Sequence, residues 1–223
     1  MKRLYSILLV FSLIFLITTG CSNNKQEINN SNDNTQDTIS TTSLSKNITS
    51  SGAITKQGNL VVFATNSNDS VVDMDIEVEF YDADGTSVGS DSSCLNGVGA
   101  GAEIAVEMFS TPESFDSYKI DIDVEPTTNV SYFDQVELTH NNNGEEIVVQ
   151  VKNNSQDVID YTNVSVVYYQ GDEGVGFNYD LEFSTETGES SNFILYFPYD
   201  NNYDDVSFDS YKVFLNEAYT FKE

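Results

Sequence analysis

Apolar and polar residues alternate most cleanly between positions 73 and 80, where Met74, Ile76, Val78 and Phe80 interleave with Asp73, Asp75, Glu77 and Glu79. A period of two puts the apolar set on one face of a pleated strand and the acids on the other, which predicts a half-buried β-strand. The pattern returns at Tyr118, Ile120, Ile122 and Val124, set between Lys119, Asp121, Asp123 and Glu125. Further β-rich runs are expected at 60–65, 104–109, 132–139, 147–152, 164–168, 177–183, 192–197 and 211–219, with Gly-, Asn-, Asp- and Pro-rich turns between them. No helical period lasts beyond a turn or two, so the fold is expected to be all-β.

One stretch occurs twice. Ser114-Phe115-Asp116-Ser117-Tyr118-Lys119-Ile120 reappears as Ser207-Phe208-Asp209-Ser210-Tyr211-Lys212-Val213, six identities and a conservative seventh. The surroundings run in parallel: 153–160 answers 66–73, and Val164, Val166 and Tyr168 answer Ile76, Val78 and Phe80. The spacing predicts two tandem immunoglobulin-like Greek-key β-sandwich modules, 52–126 and 127–223. The second copy carries an insertion, since the loop from Phe197 to Asp205 replaces the short Thr111-Pro112-Glu113 connection.

Ahead of the modules, Lys2 and Arg3 precede an apolar run from Leu4 to Ile17 that is too short to span a bilayer comfortably, as in a signal peptide. Thr18-Thr19-Gly20-Cys21 then resembles the lipobox of bacterial lipoproteins, with Thr18 where that family prefers Leu, Val or Ile. The resemblance implies cleavage of residues 1–20 and lipidation of Cys21, which places the chain on the cell membrane, facing the extracellular or periplasmic side. Residues 21–51 are mostly Asn, Ser, Thr, Gln and Asp and are expected to form a disordered tether. A lipidated Cys21 leaves Cys94 alone, so no intramolecular disulfide is expected.

Charge narrows the partners. The chain has 36 acidic and nine basic residues, a net charge of −27. Such a surface repels phosphate backbones and anionic head groups, which excludes nucleic acid as a partner and leaves membrane contact to the lipid on Cys21.

Val78-Glu79-Phe80-Tyr81-Asp82 resembles the motif of FxLYD domains, with Val78 for Phe and Phe80 for Leu; the second copy reads Val166-Val167-Tyr168-Tyr169-Gln170. The resemblance spans most of residues 55–223. It implies small all-β units of bacterial surface lipoproteins with no catalytic residue set.

Candidate chemistry is sparse. His140, the single histidine, is read as a surface turn residue, so neither a nucleophilic triad nor a zinc site is expected. Asp82 and Asp84 open a loop like that of a calcium site but lack the further ligands of an EF-hand. Calcium is therefore the one cofactor the acids suggest, and none is expected otherwise. The loop residues Tyr199, Asn201, Tyr203, Asp204 and Asp205 form the best ligand-binding candidate, because tyrosine stacks on sugars or peptide side chains while Asn and Asp hydrogen-bond them. The expected function is non-catalytic binding or assembly at the bacterial envelope, toward an unidentified envelope protein or glycan. The alternative is a calcium-dependent surface protein or hydrolase using clustered carboxylates.

Overall fold

The computed structural model describes residues 44–222, and they form antiparallel β-structure throughout. The first six strands are β1 (Ile48–Ile54), β2 (Leu60–Asn66), β3 (Val72–Tyr81), β4 (Ser87–Val98), β5 (Glu103–Met108) and β6 (Ser117–Pro126). After the two-residue β7 (Val130–Ser131) and a 3₁₀ turn at Phe133–Gln135 come β8 (Val136–Asn142), β9 (Glu146–Asn153), β10 (Ile159–Gln170), β11 (Glu173–Thr185), β12 (Ser190–Tyr196) and β13 (Ser210–Thr220).

Sheet order carries the repeat. In the first half, β1-β2-β5 faces β4-β3-β6; in the second, β8-β9-β12 faces β11-β10-β13, with β7 added beyond β13. Each strand of the first half has its counterpart in the same place in the second. Each half encloses a core of inward residues, Leu60, Ile76, Phe80 and Ile104 among those of the first, and Ile147, Val166, Tyr168 and Phe193 among those of the second.

The repeated sequence does the same work twice. Phe115 packs edge-on against buried Phe80 at 5.0 Å, and Phe208 lies 4.7 Å from buried Tyr168. The Asp116 amide donates to the Tyr81 carbonyl, as the Asp209 amide does to Tyr169. Tyr118 then donates its hydroxyl to the Gly52 carbonyl across the sandwich, while the Tyr211 hydroxyl meets His140 Nδ1 at 3.2 Å. Gly52 and His140 stand at equivalent register positions, opposite Val62 and Val149. His140 is thus exposed but lies on β8 rather than in a turn.

A second shared device closes the end of each half. Buried Asn66 donates to the carbonyls of Ser70, Val98 and Gly99 and accepts from Asn68; buried Asn153 donates to Asp157 and Thr185 and accepts from Ser155. The amide knots satisfy backbone groups where the chain crosses between sheets.

Two expectations need correction. The ordered chain starts before residue 52: β1 begins at Ile48, and Leu44 is buried in the first core. Residues 44–51 therefore belong to the fold, while the remainder of the expected tether, the signal peptide and Cys21 lie outside the described residues. Cys94, on β4, is disulfide-bonded rather than a lone thiol.

The halves are packed on one another. The outer face of β2 and β5 contributes Val61, Phe63 and Ala105 to a joint apolar cluster with Val167, Tyr169, Phe177 and Phe214 of β10, β11 and β13. The ladder between β10 and β13 shifts by one residue at Asn216, which has no counterpart in the unbroken pairing of β3 with β6. That bulge points the Asn216 amide at the first half: its Oδ1 accepts from the Ala105 amide at 3.1 Å and its Nδ2 donates to the Ala105 carbonyl at 3.0 Å. A bulge re-aims a side chain in this way and here covers the open edge of β5.

Candidate ligand-binding groove

The insertion of the second half is held in shape by its own backbone. Asp200 Oδ1 accepts from the amides of Asn202 at 2.7 Å and Asp204 at 3.1 Å, and these donors hold its carboxyl below the usual range. Tyr199 pairs with Asp205 in an isolated bridge, and the Val206 amide closes back on Pro198. Pro198 sits so close to Gly176 on β11 that a Cβ there would fall 2.1 Å from the proline ring; Pro112 and Gly89 repeat the arrangement in the first half, at 2.8 Å. The root of the loop is therefore common to both halves, and the residues after Pro198 are new.

Tyr203, in the left-handed region at φ 64°, presents an 83% exposed ring stacked on Tyr199 at 5.5 Å and 20°. With Asp200 and Asn201 they form one wall of a groove of about 360 Å³. The other wall comes from the first half: Gln57 and Asn59 from the turn after β1, then Glu107 and Phe109 at the end of β5. Asn59 Nδ2 donates to Glu107 Oε1 at 3.1 Å, and burial raises the Glu107 carboxyl despite that bond.

Glu107 and Phe109 also border a second hollow of about 200 Å³, walled by β4 and β5 on one side and by β10, β11 and β13 on the other. Its polar centre is Glu217, the residue after the bulge, which is only 3% exposed. Glu217 accepts from the Asn96 amide at 2.7 Å and from Asn163 Nδ2 at 3.2 Å, yet burial dominates and raises its carboxyl to about 7.

Of the residues anticipated for binding, Tyr199, Asn201 and Tyr203 line the groove. Asp204 and Asp205 do not: their backbones shape the loop, and Asp200 takes the lining position. The contribution of the first half was missed, since nothing local in 57–59 or 107–109 signals a contact with a loop at 199–203, ninety or more residues further along the chain. Asp82 and Asp84 sit in the β3–β4 turn, where Asp82 Oδ1 accepts from the Asp84 and Thr86 amides as a turn cap. Among the described residues no group of three His, Cys, Asp or Glu side chains gathers into a metal-holding set. Three acidic residues of β3 instead face acids of β6, with Asp73 opposite Glu125, Asp75 opposite Asp123 and Glu77 opposite Asp121, while Glu79 stands opposite Lys119. Burial, then the neighbouring carboxylates, raise Asp75.

No family model matches the chain, and no curated protein matches it.

Proposed function

We propose that this chain is a non-catalytic, lipid-anchored protein of the bacterial cell envelope that binds a ligand in the groove between its two halves. One observation carries the reading: the halves share strand order, aromatic corners and loop roots, and the loop that lengthens in only one of them forms a wall of the groove. Exposed, stacked tyrosines beside amide and carboxylate groups suit a saccharide or a peptide. The resemblances to the lipobox and to FxLYD domains support the location and the non-enzymatic role.

The test is retention on isolated cell-envelope material. Tyr199→Ala and Tyr203→Ala should each lower retention by about tenfold, the loss of one good stacking contact, with the thermal midpoint unchanged. Equal retention by both variants would sink the groove. For the anchor, a mature mass carrying acyl groups, lost in Cys21→Ser, is expected. A mature protein with no acyl mass would overturn the anchor.

A further inference from the structure

We infer that the hollow around Glu217 is a binding site for a small organic ammonium ion. The proposal deepens the reading of the groove, since the two depressions share Glu107 and Phe109. Four rings border the hollow, those of Phe109, Tyr161, Phe177 and Tyr179, together with the carboxylates Glu107 and Glu217. Both carboxyls are pushed up chiefly by loss of water. Neither has a cationic partner among the described residues, where the ion pairs join Lys56 to Glu173, Lys119 to Asp121 and Lys212 to Glu103.

The chemistry of the lining selects the ligand. Carboxylates in this setting exclude anions, and a cationic guest would favour their charged forms over the protonated ones that burial promotes. A small metal ion needs three or more oxygen, nitrogen or sulfur ligands in one shell, and no such set forms here among the described residues. An organic ammonium is weakly hydrated, is attracted to ring faces and supplies the missing positive charge. The volume of about 200 Å³ suits a head of a few heavy atoms and is too small for an oligosaccharide. Phe109 and Tyr179, with ring centroids 5.8 Å apart and both rings exposed, stand at the mouth.

Calorimetric titration of the full-length chain in non-ionic detergent, with choline as the probe and its neutral isostere 3,3-dimethylbutanol as the control, tests this. Choline should saturate at millimolar concentration or below, and the isostere should bind at least about tenfold more weakly. Glu217→Gln should weaken choline binding by about tenfold or more; should that variant fail to fold, Tyr179→Ala, whose ring is 44% exposed, should weaken it several-fold with an unchanged thermal midpoint. No saturable heat with choline, equal binding of the isostere, or full affinity in Tyr179→Ala would each overturn the ammonium site. Envelope retention that still depends on Tyr199 and Tyr203 would in that case leave the groove standing.

Discussion

Asn66 and Asn153 show how much of this fold hangs on single buried amides. Each bridges carbonyls that would otherwise be buried without donors, and a stranded buried polar group costs about 1–3 kcal/mol. Asn66→Ala and Asn153→Ala should therefore each lower unfolding free energy by about 3 kcal/mol in denaturant titrations, because more than one group loses its partner at once. Asn68→Ser should cost less than either, since Ser155 already fills that place in the second half. The sequence shows the parallel between 66–73 and 153–160, but not that the asparagines point inward; polarity alone reads them as turn residues. The FxLYD-like stretch becomes intelligible at this scale too. Val78 and Phe80 are core residues, the Tyr81 hydroxyl donates to Glu79 at 2.6 Å, and Asp82 caps the following turn.

At the scale of elements, alternation was a good guide wherever strands are half buried, as in β3 and β6, and a poor one at the edges. β4 was missed because Ser, Gly and Asp dominate it; as an edge strand it buries little beyond Leu95, Val98 and the groups near them. β1 was hidden for the same reason inside a polar stretch, and its register is fixed by pairing with β2 rather than by any pattern of its own. Two expectations arise from neighbouring elements. Gly176→Ala should destabilise by about 1–3 kcal/mol, because its Cβ would collide with Pro198 and the loop root must shift. The facing acids of β3 and β6 repel, so added salt should raise the thermal midpoint by screening. Sodium and calcium chlorides at equal ionic strength should act alike, and a rise specific to calcium would favour a bound cation instead.

Taken whole, the two halves share an apolar cluster and the Asn216 clasp, which predicts a single calorimetric transition rather than two. The repeat was legible in the sequence, but how its two copies pack was not, because the contacts reside in one inserted residue and in outward faces with no periodic signature. Stability should also depend on pH. Glu217 has a folded value raised to about 7 against an ordinary 4.5, so the native state holds more protons than the unfolded one between those values. Stability then falls as pH rises from about 4.5 to 7, by at most about 3 kcal/mol from this residue. Asp75 and Glu107, raised likewise, act in the same direction. Glu217→Gln should flatten the slope in thermal melts between pH 5 and 8; an unchanged slope would assign the dependence elsewhere.

The longer loop hangs from a proline whose twin, Pro112, supports a short connection on the same scaffold. The first half is thus a built-in control for the second: splicing its brief link in place of residues 199–206 should yield a molecule that folds intact yet no longer recognises anything through that wall, parting architecture from recognition in one cut.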